Sequence, residues 1–200
     1  MNVVLWFGFA YLLGAIPTSL MVARLFAGVD LRTFGSKNLG ATNLYRLLGF
    51  KAAVPAGLFD VFKGFLPVVL ALQADLTLGL ALTVGICAVL GHVFSPFVNF
   101  KGGKGVATAA GVFLAISPWA VLAALIAFVA TLALTGYVSL GSMLAAVVLA
   151  AATPVFYPGS MVRLVAAVFV CVFIIITHRA NISRLLNGTE NSFKKKKAAA

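Results

Sequence analysis

The sequence predicts an all-α, polytopic membrane protein, and three observations carry that reading. Apolar side chains make up 62% of the 200 residues and charged ones 10%, against about 45–50% and about 25% in soluble domains. The mean hydropathy is +1.12. The apolar residues also fall in long runs that polar stretches interrupt, as bilayer-crossing helices require. This composition excludes a disordered chain. The two cysteines, Cys87 and Cys171, lie in apolar runs without paired spacing, which excludes a disulfide scaffold. With a net charge of +11 in so apolar a chain, the basic excess points to a membrane and not to nucleic acid, and no nucleic-acid partner is expected.

Spans of roughly 20 mostly apolar residues are predicted at 3–26, 52–73, 76–94, 139–156 and 161–177. The first fifteen residues lack the basic start and the cleavage site of a secretory signal, so they belong to the first span. The stretch 106–134 is too long for one span. Ser117-Pro118 divides it into a short helix at 106–116, about 16 Å long, and a longer one at 119–134. That makes seven helices, one of them short.

Charge sets the orientation. With seven helices and an external N-terminus, the cytoplasmic segments 27–51, 95–105, 135–138 and 178–200 hold Arg32, Lys37, Arg46, Lys51, Lys101, Lys104, Arg179, Arg184 and the lysines 194–197. The external turns keep Asp75 and Arg163. A six-helix count moves the C-terminal basic residues outside, against the rule. Residues 1–190 are expected to form one membrane-embedded domain with a cytoplasmic C-terminus. Residues 191–200 are expected to be a disordered basic tail, its lysines resting against anionic lipid.

Polar groups are costly in such a protein, so their clustering is informative. The first cluster is Gly35-Ser-Lys-Asn-Leu-Gly-Ala-Thr-Asn-Leu-Tyr-Arg46. Glycines, short hydroxyl and amide side chains and one arginine are the parts of a phosphate cradle; the competing reading is an interfacial loop with Thr42 or Asn43 as a helix cap. The second, Phe100-Lys-Gly-Gly-Lys-Gly-Val-Ala-Thr108, opens into the short helix. Its glycines allow a nest of backbone N–H groups at a helix N-terminus, and Lys104 adds a full charge. It is not a nucleotide P-loop, because Val98 and Gly105 stand where that pattern needs Gly and Ser or Thr. The third is His178-Arg-Ala-Asn-Ile-Ser-Arg-Leu-Leu-Asn-Gly-Thr-Glu190. A seventh helix that continues through it puts His178, Asn181 and Leu185 on one face, with Gly188 as a C-cap; an amphipathic helix lying on the membrane is the alternative.

Smaller features join these clusters. Ser139 and Ser142 are three apart, and hydroxyl back-bonding to helix carbonyls is their simplest use. Asp60 and Lys63, also three apart inside a span, each cost about 2.5–3.5 kcal/mol at its centre, so an ion pair is expected. His92 ends the third span beside Gly91, where a structural hydrogen bond and a supporting role in the site are equally open.

The missing motifs narrow the chemistry. No His/Cys/carboxylate cluster has metal-ligand spacing, there is no G-x-S-x-G elbow, and neither histidine begins a His-x4-Asp motif, Phe97 and Ser183 standing at the second position. The paired aspartates of CDP-alcohol transferases are absent too. What remains is a basic, glycine-rich, hydroxyl-rich surface suited to phosphate, beside an apolar interior suited to acyl chains.

In order and spacing, over nearly the whole chain, the three clusters resemble the three motifs of the bacterial acyl-phosphate-dependent glycerol-3-phosphate acyltransferases, seven-helix inner-membrane enzymes. Residues 35–46 resemble the GS-x-N-x-GATN-xx-R motif, Gly91-His92 with 100–108 the second, and 178–190 the third. Thr177 stands where the family usually has Arg, and its common proline at position 95 is shifted to Pro96. The resemblance implies transfer of a fatty acyl group from acyl phosphate to the sn-1 hydroxyl of glycerol 3-phosphate, giving lysophosphatidic acid and phosphate, the first acylation of phospholipid synthesis. It implies no cofactor and no metal, a site on the cytoplasmic face, and the enzyme that makes acyl phosphate as a partner. Because acyl phosphate is already activated, direct attack without an acyl-enzyme is expected. Lys104, His178 and Ser142 are the expected catalytic residues, with His178 or a substrate phosphate taking the proton. Arg46, Lys104, Ser142, His178 and Asn181 are expected to grip glycerol 3-phosphate. Ser36, Asn38, Thr42, Asn43, Gly102, Gly103 and Gly105 are expected to hold acyl phosphate, with His92, Ser139 and Arg184 in support. A transporter for a phosphorylated metabolite or lipid could use the same cradle. It would favour inverted repeats and midplane breaks, which the sequence lacks.

Overall fold

The computed structural model describes residues 2–193, and within them the regular structure is helical throughout. The chain divides into two compact units, one ending at Ile116 and one beginning at Ser117.

The first unit holds α1 (Val3–Ala15), α2 (Thr18–Ala27), α3 (Ala41–Leu48), α4 (Phe50–Gln73), α5 (Leu78–Val93) and α6 (Val106–Ile116). The predicted first span is therefore two helices. Pro17 cannot donate a backbone hydrogen bond, and the chain steps out of helix at Ile16 (ψ 115°) before restarting at Thr18. The break orphans carbonyls, and their donors come from the turn after α5 and from α4: Ser95 Oγ donates to Ala15 O at 2.6 Å and Lys63 Nζ to Ile16 O at 2.9 Å. Pro55 and Pro67, by contrast, sit inside an unbroken α4.

Two helix pairs in this unit approach backbone to backbone. On α4 and α6, a Cβ at Gly64 would run into the Thr108 carbonyl, and one at Gly111 into the Val61 carbonyl. On α1 and α5, Gly14 faces Ala88 and Gly91 faces Tyr11 in the same reciprocal way. Small residues at such notches let helices pack where lipid supplies no hydrophobic drive. A separate core of Leu20, Ala23, Leu31, Leu39, Leu44, Ala56 and Val98 seats the loop before α3 on α2 and α4.

The second unit holds α7 (Pro118–Thr135), α8 (Val138–Phe156), α9 (Met161–Thr177) and α10 (Arg179–Leu186). The break at Ser117-Pro118 falls where the sequence predicts it, with Pro118 in the first turn of α7. Gly136, at φ 76°, closes α7. The seventh helix does not run on: at His178 the chain bends by 58° into α10. Gly188 (φ 66°) then ends α10 with a Schellman motif, Gly188 N–H donating to Leu185 O and Thr189 N–H to Arg184 O. Phe193 N–H donates to Gly136 O; the lysines 194–197 lie outside the described residues.

Among the described residues, five stretches are long and apolar enough to cross a bilayer, counting Val3–Ala27 as one, and six if α9 and α10 are taken together; α6 is a shorter apolar helix. Leu5, Leu25, Ile126, Leu134, Val155 and Val165 are among many exposed large apolar side chains, as the lipid-facing sides of membrane-spanning helices require.

Candidate active site

The first polar cluster is a loop organised by Asn43. Gly40 precedes α3 without a side-chain cap, so the expected capping by Thr42 or Asn43 gives way to another use. Asn43 is fully buried and reaches back over its own loop. Its Nδ2 donates to Phe34 O (2.9 Å), Asn38 O (3.1 Å) and Leu31 O (3.3 Å), while its Oδ1 accepts from Ser36 N–H (3.0 Å). With both ends of the amide engaged, Asn43 fixes the shape of this loop. Ser36, Asn38 and Thr42 are half-buried around it, and the Arg46 stem passes beside Gly35. Thr42 and Arg46, four apart on α3, share a face. At the loop entrance Asp30 accepts from Arg32 and Arg24 at 2.6 and 2.8 Å. The Arg32 side-chain bond, its backbone N–H and Arg24 hold that carboxyl far below the usual range, outweighing desolvation.

The second cluster folds onto the end of α5. Gly102 N–H donates to Val93 O (2.9 Å) and Gly103 N–H to His92 O (3.1 Å). The expectation of an anion nest at these two glycines is corrected accordingly: their N–H groups complete the helix terminus. Their lack of a side chain still matters, because a Cβ at Gly103 would collide with the His92 ring and one at Gly102 with the His92 carbonyl. Gly105, at φ 82°, turns the chain into α6, leaving Lys104 half-buried immediately before the helix N-terminus. Behind the loop, Lys63 and Asp60 form the expected ion pair at 2.6 Å, with His92 Nδ1 3.3 Å from Lys63 Nζ.

The third cluster converges on a carboxylate to which the sequence assigns no role. Glu190 is 6% exposed. Its Oε1 accepts from Asn181 Nδ2 (2.7 Å) and Ser139 Oγ (2.9 Å), and its Oε2 from Arg184 Nε (2.7 Å). Burial pushes this carboxyl upward, but the three hydrogen bonds and the Arg184 charge prevail and hold it below its ordinary value. Ser142 Oγ donates to Val138 O (2.9 Å). His178 is buried, with Nδ1 2.8 Å from Ile174 O. A carbonyl only accepts, so Nδ1 carries the hydrogen and Nε2 the lone pair. The signal for Glu190 in the sequence was Asn187-Gly188: a helix stop that returns the chain two residues later. Among the described residues no three His, Cys, Asp or Glu side chains gather for a metal ion.

Long apolar helices interrupted by basic and hydroxyl-rich clusters define an integral membrane protein. The sequence model of a family described as glycerol-3-phosphate acyltransferase matches residues 4–188, and the chain belongs to that family. It is 49% identical to a glycerol-3-phosphate acyltransferase of Trichlorobacter lovleyi, over 94% of this chain and 96% of the relative. A glycerol-3-phosphate acyltransferase 2 of Bacillus anthracis is 47% identical over 91% and 94%. Among solved structures, PlsY (YgiH), an integral membrane glycerol 3-phosphate acyltransferase, matches in its glycerol 3-phosphate form with a TM-score of 0.91 and 39% identity, over 96% of each chain. Its lysophosphatidic acid form matches at 0.87 and 37%, again over 96% of each chain. The chain is thus an acyltransferase of the membrane, in phospholipid biosynthesis.

Proposed function

We propose that this protein moves a fatty acyl group from acyl phosphate to the sn-1 hydroxyl of glycerol 3-phosphate, releasing lysophosphatidic acid and inorganic phosphate. The observation that carries the reading is the likeness, over 96% of the chain, to one enzyme solved in a glycerol 3-phosphate form and a lysophosphatidic acid form, the acceptor and the product of this reaction.

The glycerol hydroxyl attacks the acyl carbonyl carbon, the new C–O ester bond forms, and the bond from that carbon to the phosphate oxygen breaks. The hydroxyl proton passes to His178 Nε2, the nitrogen left with a lone pair, or to a substrate phosphate oxygen. Lys104 stabilises the negative charge that develops. Arg46, Lys104, Ser142, His178 and Asn181 grip glycerol 3-phosphate, Arg46 as a planar fork suited to phosphate. Ser36, Asn38, Thr42 and Gly105 hold acyl phosphate in the cradle that Asn43 shapes, while Gly102 and Gly103 act by fixing the loop. Ser139 and Arg184 support the site through Glu190. No acyl-enzyme is needed, and the serines fit that view: Ser142 gives its hydrogen to a helix carbonyl, and Ser139 donates to a carboxylate that Asn181 and Arg184 share.

The same proposal places seven spans in the bacterial inner membrane, N-terminus outside, as one functional domain over residues 1–190 with its polar clusters in the cytoplasm, beside the enzyme that makes acyl phosphate. The deciding experiment supplies purified protein with glycerol 3-phosphate and, in turn, acyl phosphate, acyl-CoA and acyl-carrier protein. Turnover with acyl phosphate alone is expected, and turnover only with a thioester donor overturns the donor assignment. Acyl chain trapped on Ser139 or Ser142 without acceptor overturns direct attack.

A further inference from the structure

Asp60, Lys63 and His92 are polar groups inside apolar spans, and their directions are specific. Asp60 is 2% exposed and Lys63 is fully buried. Lys63 Nζ pairs with the Asp60 carboxylate at 2.6 Å, donates to Ile16 O at 2.9 Å and lies 3.3 Å from His92 Nδ1, which is itself 3.7 Å from Asp60 Oδ1. The ion pair thus faces the Nδ1 edge of the ring, and the other ring nitrogen is Nε2. That atom is the closest neighbour a side chain at Gly103 would meet, and the three nearest atoms all belong to the His92 ring. The backbone of His92 holds the same residue, accepting from Gly103 N–H. The second-cluster loop is thus clamped by one histidine through both its ring and its carbonyl. The ring in turn is oriented by a buried ion pair fastened to the α1–α2 break. Apolar side chains of equal volume would fill that space without the desolvation cost, but they could not fix which way an imidazole faces.

We propose that Asp60, Lys63 and His92 are positioning residues for the acyl-transfer site: they set the course of residues 101–105 and through it the placement of Lys104. The proposal rests on the substrate-gripping role given above to Lys104.

The test is a double-mutant cycle between Gly103→Ala and His92→Ala, read as kcat and KM for glycerol 3-phosphate and, separately, as the rate at which an amine-directed reagent labels Lys104, followed by mass spectrometry. In the parent, Gly103→Ala is expected to lower kcat/KM at least about tenfold, through kcat as well as KM because Lys104 both grips the substrate and stabilises the developing charge, and to change Lys104 labelling at least about threefold. In the His92→Ala background, where the added methyl has room, Gly103→Ala is expected to move both readouts by less than about twofold. Removing one partner of the ion pair risks the fold, so the pair is removed together as Asp60→Leu with Lys63→Leu. This variant is expected to fold and to shift kcat/KM and Lys104 labelling in the direction of His92→Ala. Effects of Gly103→Ala that multiply with those of His92→Ala, in kcat/KM and in labelling alike, overturn the proposal. So does a folded double-leucine variant with parental kcat/KM and labelling. A parent that transfers no acyl group from any donor defeats the functional reading instead, and the labelling cycle then decides the positioning role alone.

Discussion

Asn181 Nδ2 donates to Glu190 Oε1 at 2.7 Å, although Glu190 lies beyond the end of the helix that carries Asn181. The Schellman turn at Gly188 makes this possible by folding the chain back. Glu190→Ala leaves the Asn181 amide and the Ser139 hydroxyl buried without their acceptor. At about 1–3 kcal/mol for each group that loses this acceptor, the expected loss is about 2–6 kcal/mol, with Glu190→Gln losing less. Thermal unfolding in detergent checks the order parent, Gln, Ala; equal stabilities contradict it.

Acid dependence follows from the same carboxylate. Its folded pKa is below the unfolded value, ordinarily about 4.3, so its contribution is complete above that value and lost as pH falls through the lower folded one. A melting-temperature difference between parent and Glu190→Gln is expected to be constant from pH 7 to about 5 and to shrink as pH drops below about 4. Asp30 titrates in the same sense but is present in both proteins, so the difference isolates Glu190.

Lys104→Ala and Arg46→Ala are expected to lower kcat/KM by about a hundredfold or more, since one preorganised donor typically contributes about 10²–10³ in rate. Phosphate release from acyl phosphate gives the rate.

Asn43→Ala removes the one amide that bonds three carbonyls and one N–H of the loop at 31–38. A loss of about 2–3 kcal/mol is expected, because several buried backbone groups lose their partners. Asn43→Asp keeps the acceptor for Ser36 N–H and loses the donors, so it is expected to be no better than a partial rescue. Chemical unfolding of the two variants measures both.

The helical glycines separate cleanly. Gly64→Ala and Gly111→Ala press a methyl onto a carbonyl of the facing helix and are expected to cost about 3 kcal/mol or more, at the upper end for overpacking. Gly8→Ala meets nothing within 4 Å and is expected to be neutral or stabilising by about 0.5–1 kcal/mol, the ordinary gain of Ala over Gly in a helix. Melting temperatures of the three variants test the contrast.

Much of this was legible in the sequence because membranes make polarity expensive. The three clusters stood out as islands, and the helices Val106–Ile116 and Met161–Thr177 have the predicted limits. Proline gave an uneven signal: Pro118 divides two helices as expected, Pro17 divides the predicted first span, and Pro55, Pro67 and Pro154 divide nothing. A break depends on whether neighbours can satisfy the freed carbonyls, and Ser95 and Lys63 are 80 and 47 residues from theirs. The glycines at 102 and 103 supported an anion nest until α5 was seen to take up their N–H groups. Glu190 stayed silent for a related reason: its partners are 6, 9 and 51 residues away, and only a turn of known geometry brings them to it.

The reciprocal glycine notches have a consequence for tolerance to change. Where two main chains touch directly, no rotamer exists that could shift to absorb a neighbour's altered bulk, so each notch behaves as a fixed hinge-pin. Variation among variants of this chain should therefore concentrate on the outward, lipid-wetted flanks of α1, α4, α5 and α6, while the inner seams stay frozen at the smallest side chain available.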